Sequence, residues 1–229
     1  MIILAIDMSG DNCSIAISNH KNILAESSTF ARMRHLPKIM PQIDFTLKQA
    51  NIGIKDVELL CAVSGPGSWT GIRIAITMIK VFSHTLSIPC ITVNSLESLA
   101  CNLRFVNPIV YSILDAARHQ VYCAGYNCEK SIPETIETPS LKPIHSFLDH
   151  MSTPAILLGD ATIRYAEIIS QHSEKEILLA PSTMNQINIS HVIEIGYEKF
   201  LTNGSDDIHE LSPVYLQQTD AERNLNKNR

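Results

Sequence analysis

The sequence predicts an α/β fold of two lobes. Three observations predict it. The first half reads as three strands, a helix, a strand, a helix and a strand, in that order. The second half opens the same way, with strands joined by a tight turn. Between the fourth strand and the second helix lies a glycine-rich turn, Ser64-Gly65-Pro66-Gly67-Ser68-Trp69-Thr70-Gly71-Ile72-Arg73.

Each element has a local reason. Ile2 to Ile6 is a continuous apolar run and reads as a central strand ending at Asp7. Met8-Ser9-Gly10-Asp11-Asn12 turns the chain, and Cys13 to Ser18 alternates as a second strand. His20-Lys21-Asn22 turns it again before a third, Ile23 to Glu26. Three short strands joined by tight turns form an antiparallel meander. From His35 the period changes. Leu36, Ile39, Met40, Ile43, Leu47 and Ala50 recur at helical spacing and make one stripe. Pro37 suits a first helical turn, whereas Pro41 predicts a late start or a kink. Leu59 to Val63 is a buried strand. Ile72 to Ser87 is a helix with Ile72, Ala75, Ile76, Ile79 and Phe82 on a broad apolar face. Pro89 ends it, Cys90 to Val93 is the next strand, and Asn94 or Ser95 caps a short helix through Ala100. This order is that of a ribonuclease H-like lobe, a meander extended by parallel strands through crossover helices. Apolar periodicity lapses over residues 102–107, which divides the chain into lobes at 1–104 and 105–229.

In the second half, strands Ile109–Leu114 and Gln120–Tyr126 flank the turn Asp115-Ala116-Ala117-Arg118-His119. Cys128 to Pro143 is polar and proline-containing and reads as an irregular or edge stretch. Ile144 to Leu148 is a helical turn, Ala155 to Leu158 a strand ending at Gly159-Asp160, and Thr162 to Ile169 a short helix. Ile177 to Leu179 is a weak strand and Ser190 to Phe200 a helix, and a polar tail follows Asp220. The second lobe thus repeats the opening of the first with fewer and shorter elements.

A glycine-rich strand-to-helix turn is where an α/β protein presents backbone N–H groups to a ligand. Gly65 and Gly67 permit angles a side chain would forbid, Ser68 or Thr70 can cap the helix, and Gly71 admits a close neighbour. Ser9, Gly65, Gly67, Ser68, Thr70 and Gly71 are therefore candidate anion or nucleotide contacts. A tight turn with a helix cap and no ligand accounts for the same residues. The stretch lacks the Lys-Ser or Lys-Thr pair of a nucleotide hydrolase phosphate loop, and Ser68 lacks the flanking glycines of a nucleophile elbow. Asp7 ends the first strand and either faces a cleft or caps its own turn. Asp115 and Arg118 occupy the matching turn of the second half, where they either pair locally or face a ligand.

Composition excludes several classes. The formal net charge is −5 and no run of Lys or Arg makes a basic stripe, which argues against autonomous nucleic-acid binding. The six cysteines show no CxxC pair and read as small buried residues of a reducing compartment. Nine histidines include no HxxxH or HxxH pair, so no transition metal is expected. His35 precedes a helix and suits a cap or an interface. Neither a signal peptide nor a membrane span is expected.

Six motifs now stand in one order. They are Leu4-Ala5-Ile6-Asp7-Met8-Ser9, His35-Leu36-Pro37, Gly65 to Arg73, Val93-Asn94-Ser95-Leu96-Glu97-Ser98-Leu99-Ala100, Asp115 to Tyr122, and Pro213-Val214-Tyr215-Leu216. Together they resemble the bacterial TsaB family, formerly called YeaZ, along nearly the whole chain. The glycine-rich stretch is the most specific part. The resemblance implies an actin-like ATPase (ribonuclease H-like) two-lobed fold with a shortened second lobe, in a cytoplasmic protein. It implies a non-catalytic partner in forming threonylcarbamoyladenosine beside the anticodon of tRNAs that read codons beginning with A. Its implied partners are the catalytic, metal-holding paralogue TsaD, the small ATPase TsaE and a second copy of itself, with tRNA met only through the complex. No cofactor is expected to bind firmly, and ATP enters only with the assembled complex.

In the family both pairings use the first two helices. The resemblance therefore implies partner contacts at His35, Leu36, Ile39, Met40, Ile43, Ile72, Ala75, Ile76 and Ile79. Core packing accounts for the same stripe before the family is considered. The chain departs from the pattern at Met8, where a threonine is usual, at Trp69 for phenylalanine, at Ala117 for arginine, and at Ile79 and Val81 beside Lys80 for smaller residues. The alternative function is a stand-alone actin-fold ATPase or a glycoprotease-like peptidase.

Overall fold

The computed structural model describes residues 1–30, 36–172 and 174–216, with backbone alone at 36–38. The first sheet contains β1 (Ile2–Asp7), β2 (Asn12–Asn19), β3 (Asn22–Phe30), β4 (Leu59–Gly65) and β5 (Cys90–Asn94), in the order β3-β2-β1-β4-β5. β1, β2 and β3 pair antiparallel, while β4 joins β1 and β5 joins β4 in parallel. Parallel steps need crossovers, supplied by α1 (Leu36–Ala50) and α2 (Trp69–Leu86). α3 (Ser95–Ala100) follows β5, capped by Asn94, whose Oδ1 accepts from Leu96 N at 2.9 Å.

The second sheet repeats this order. It contains β6 (Ile109–Asp115), β7 (Gln120–Asn127), β8 (Glu134–Pro143), β9 (Ala155–Leu158) and β10 (Ile177–Leu179), arranged β8-β7-β6-β9-β10. Its crossovers are α4 (Ile144–His150), then α5 (Asp160–Arg164) and α6 (Ala166–Ser170). Both sheets therefore have five strands. The shortening is in the helices, which span 7, 5 and 5 residues against 15 and 18 in the first lobe.

Three local expectations now have an outcome. Of the two readings of Cys128 to Pro143 the edge one holds, because Glu134 to Pro143 forms edge strand β8, paired antiparallel with β7 through two register shifts. The single helix over Thr162 to Ile169 is two, broken at Tyr165, whose φ of −112° leaves the helical region. The first helix begins at Leu36 and carries Pro41 inside it.

Strand periodicity sorts the core. Leu4, Ile6, Ile15, Ile17, Leu60 and Ala62 face α1 and α2. Ile3, Ala5, Ala16, Leu59, Cys61 and Val63 face the other way, and α7 (Ile189–Asn203) covers them with Ile189, Val192, Ile193 and Ile195. Gly196 allows that approach, since a Cβ there would stand 2.6 Å from Cys61 Sγ. α7 belongs to the first lobe, so residues 105–229 are not one continuous lobe: the inner face of the first sheet needs a cover that its own crossover helices do not give. Conversely, α3 packs on the second sheet through Leu96, Leu99 and Ala100 against Val110, Tyr122 and Tyr126. The polar tail after Asp220 and His35 lie outside the described residues, as does the side chain of Leu36.

The expected partner contacts on the two helices are mostly core. Ile39, Ile43, Ile72, Ala75, Ile76 and Ile79 are at most 3 % exposed and pack on the first sheet. A helix stripe conspicuous in sequence is the stripe that its own sheet takes first. Met40 alone of the described set stays open, at 49 % exposure. α1 is further anchored by buried Gln42, which donates to Cys13 O at 2.8 Å and to Ser27 O at 3.0 Å. All six cysteines are buried and none forms a disulfide. Among the described residues no helix is long and apolar enough to cross a membrane.

The start of α2 sits against the turn after β1. A Cβ on Gly71 would fall 1.8 Å from Met8 O, whereas a Cβ on Gly10 would meet nothing within 4 Å. Gly71→Ala should therefore destabilise the fold by about 3 kcal/mol, and Gly10→Ala by less than about 0.5 kcal/mol. Urea denaturation of the two variants beside the native chain checks this.

Candidate functional site

The ends of β1 and β6 meet at a cleft of about 570 Å³ between the lobes. The first lobe lines it with Asp7, Ser9, Asp11, Ser68, Trp69 and Thr70. The second lines it with Leu114, Asp115 and Asp160, and the connection before α7 adds Asn185 and Gln186.

Asp7 serves both roles left open by the sequence. Its Oδ1 accepts from Ser9 N at 2.8 Å and Ser9 Oγ at 2.7 Å, which caps the turn, and its carboxylate also lines the cleft. Burial pushes the carboxyl above the usual aspartate range, and the two Ser9 bonds oppose that rise. Asp115 holds the equivalent position on β6. Its Oδ1 accepts from Ala117 N at 3.0 Å and from Tyr165 Oη at 2.8 Å, and its Oδ2 stands 3.1 Å from Arg164 Nε. The turn it anchors holds Ala117, Arg118 and His119 all at positive φ, between 52° and 58°. No glycine marks that turn in the sequence, so its left-handed backbone could not be read there. Asp160, at the start of α5, accepts from Asp115 N at 2.8 Å. Burial raises its carboxyl, and the charges of Asp115 and Asp11 add to the rise.

The glycine-rich turn divides between these tasks. Ser9, Gly67, Ser68 and Thr70 line the cleft. Gly65 and Gly71 do not, and their expected role as ligand contacts is corrected. Gly71 lies against Met8 O, and a Cβ on Gly65 would stand 2.9 Å from Ile72 Cδ1 and 3.2 Å from Val214 O. Both glycines are conformational and packing positions. Ser68 is the helix cap, its Oγ accepting from Gly71 N at 3.3 Å, and Ser68 N donates to Ser9 O at 2.7 Å.

At the mouth, Trp69 stacks on Tyr215 with ring centroids 4.0 Å apart. Arg73 lies 4.2 Å from the Trp69 ring, and its Nε donates to Tyr215 Oη at 2.6 Å. Sequence reasoning noted Tyr215 only within a motif, because its partner lies 146 positions away on α2. The residues that line the cleft include four aspartates and no Lys or Arg. That donor set does not fit an unescorted polyphosphate, whose charge it would repel. Among the described residues no three His, Cys, Asp or Glu group together as a metal site.

A family profile described as TsaD, tRNA N6-adenosine threonylcarbamoyltransferase, matches residues 23–223. The tRNA threonylcarbamoyladenosine biosynthesis protein TsaB of Bacillus subtilis is 29 % identical over 97 % of this chain and 96 % of its own length. The TsaB of Buchnera aphidicola from Schizaphis graminum is 32 % identical over 81 % of this chain and 91 % of its own. The structure of YeaZ from Pseudomonas aeruginosa superposes with a TM-score of 0.79 at 19 % identity, covering 94 % of this chain and 99 % of that one.

The buried Asp7 carboxylate sets a pH dependence. Because its native pKa is raised, the native state holds the proton more tightly than the unfolded chain. Its effect on stability therefore worsens as pH rises through the unfolded and then the native pKa, and stays constant above. Asp7→Asn keeps an acceptor for Ser9 and removes the charge. It should be more stable than the native chain at pH 7, with the difference closing below about pH 4, in a pH series of urea melts.

Proposed function

The chain belongs to the TsaB family, and we propose that it is a non-catalytic partner subunit in forming threonylcarbamoyladenosine next to the anticodon of tRNAs that read codons beginning with A. In this reading it pairs with a TsaD-like paralogue that does the chemistry, and a TsaE-like ATPase joins the assembly. It also forms a homodimer, meets tRNA only through the complex, and works in the cytoplasm. It binds no cofactor firmly, and ATP enters with the assembled complex.

The observation that carries this reading is the outer surface of α1 and α2. Their inner stripes are taken by the chain's own core. Their outer faces still expose Met40 at 49 %, Phe45 at 54 % and Val81 at 50 %. Large apolar side chains repeated on the outward side of two helices over one sheet form the core of an interface more readily than a solvent face. The rival reading, a stand-alone ATPase or glycoprotease-like peptidase, draws on the buried carboxylate of Asp7 at the cleft.

Co-purification with the TsaD-like paralogue of the same organism tests the proposal. Phe45→Asp and Val81→Asp should stay folded within about 0.5 kcal/mol, since both sites are exposed, yet weaken pairing by at least about tenfold. A charge at core Ile76 would instead cost several kcal/mol and unfold the chain, so it cannot report on pairing. Pairing unchanged in both exposed variants would move the interface elsewhere. ATP or peptide hydrolysis by the chain alone, abolished in Asp7→Ala, would replace the partner reading with the enzymatic one.

A further inference from the structure

The aromatic pair at the start of α2 holds an arginine. Arg73 lies 4.2 Å from the Trp69 ring and 5.5 Å from the Tyr215 ring, and its Nε donates to Tyr215 Oη at 2.6 Å. Tyr215 is itself held. It stacks on Trp69 at 4.0 Å, and the neighbouring Val214 N donates to Ser64 O at 2.8 Å. The three side chains brace one another at the surface, with Trp69 40 % and Tyr215 42 % exposed and Arg73 exposed beside them. A surface arginine ordinarily gives up rotamer freedom when it binds, and bracing removes part of that cost in advance.

The guanidinium keeps unused donors. It has five N–H groups, of which the Nε group is taken by Tyr215. Among the described residues no carboxylate pairs with Arg73, and its terminal nitrogens make no hydrogen bond.

Its place on the helix matters too. Trp69, Arg73, Thr77 and Val81 recur every four residues along α2, and all of them are exposed. Such a series forms one ridge on a helix. The step from Arg73 to Val81 spans about 12 Å. The ridge therefore joins the braced arginine to the outward apolar surface of α2.

We propose that Arg73 is a preset fork for a carboxylate of the protein that packs on the outer side of α2, gripping an Asp or Glu side chain through its terminal nitrogens. The inference rests on the partner reading above and adds the chemistry of one contact. A carboxylate offers two coplanar acceptors, which match the parallel N–H groups of a guanidinium edge. Trp, Tyr and Arg are also the residues that most often dominate binding energy at protein interfaces. RNA phosphate would fit the fork, but it brings a row of charges. The ridge carries no second cation, and Trp69 borders a cleft lined by four aspartates. A single carboxylate on an otherwise apolar protein surface is the occupant this ridge suits.

Isothermal titration of the full chain with the TsaD-like paralogue of the same organism tests this. Arg73→Gln and Arg73→Lys should each weaken pairing by about tenfold or more, since lysine keeps the charge but neither the fork nor the stack. Tyr215→Phe loosens the brace and should weaken pairing several-fold. Arg73→Gln should also flatten the salt dependence of pairing between about 0.05 and 0.5 M. Asp and Glu residues of the paralogue are then changed one at a time to Asn and Gln. One change should weaken pairing with the native chain about tenfold and add little to Arg73→Gln. Circular dichroism and urea melts confirm that the variants fold. Val81→Asp keeps the two readings apart. If it loses pairing while Arg73→Gln keeps it, the partner reading stands and the fork is overturned. If folded Arg73→Lys pairs as the native chain does, charge alone suffices and the fork is overturned. If Arg73→Gln pairs normally but the assembled complex retains less tRNA, phosphate is the occupant and the proposal falls. It falls as well if Asp220→Asn with Glu222→Gln weakens pairing as Arg73→Gln does and the two effects do not add, because the carboxylate is then the chain's own.

Discussion

The structure depends on one close backbone approach. The first turn of α2 lies on the turn that follows β1, with Ser68 N bonded to Ser9 O at 2.7 Å and Gly71 against Met8 O. Only a residue without a Cβ admits the second contact. The approach fixes where α2 begins relative to β1, and so places Ser68, Trp69 and Thr70 beside Asp7. The second lobe uses the same device. Gly159, at φ 117°, lies where a Cβ would stand 2.0 Å from Ile113 O, and it brings Asp160 to the end of β6. Each lobe thus presents one strand end and one helix start to the shared cleft.

The second constraint is that a mostly parallel sheet must be covered on both faces. α1 and α2 lie on one face of the first sheet, which leaves Ile3, Ala5 and Cys61 bare on the other. α7 closes that face after the chain has completed the second lobe, while α3 covers the second sheet before it forms. The two helices meet between the sheets and are tied by Lys199 to Glu97 at 2.7 Å, and Arg104, in the connection after α3, pairs with Glu194 of α7 at 2.6 Å. These pairs are partly buried, so they orient the lobes more than they stabilise them. The exchange makes the lobes interdependent. The segment after α7 returns to the first sheet, with Thr92 N and Oγ1 donating to Asp206 and Val214 N bonded to Ser64 O at 2.8 Å.

Most of the fold was legible because its signals are local. The meander at residues 2–30, the glycine-rich turn and the Asn94 cap each depend on neighbours within a few positions. What was illegible depends on distance. Nothing in Ser190 to Phe200 says which sheet its apolar face will cover, and the choice is made by an exposed face whose strands lie far away in sequence. β8 lacks alternation because it is a sheet edge with little to bury. The helix stripes were read correctly as apolar, but periodicity does not say whether a stripe meets its own sheet or another chain. At the cleft, Asp7, Ser9, Gly67, Ser68 and Thr70 were legible from motif position. The left-handed turn at Ala117 and the pairing of Trp69 with Tyr215 were not, since no residue type at either place announces the geometry.

The cleft and the outer helices follow different physical rules, and this separates their roles. The outward side of α1 and α2 keeps Met40, Phe45 and Val81 in contact with water, a state that association with another apolar surface relieves without disturbing the sheet beneath. The cleft is lined by Asp7, Asp11, Asp115 and Asp160, where burial raises Asp7, and burial with the charges of Asp115 and Asp11 raises Asp160. A chain selected for its own stability alone would have replaced some of these carboxylates, as burial without a counter-charge is disfavoured and neutral amides would satisfy the same turns. Asp7 shows this most clearly: Ser9 needs one acceptor oxygen, which an asparagine would give, and the structure keeps a carboxyl group at this buried, cleft-lining position.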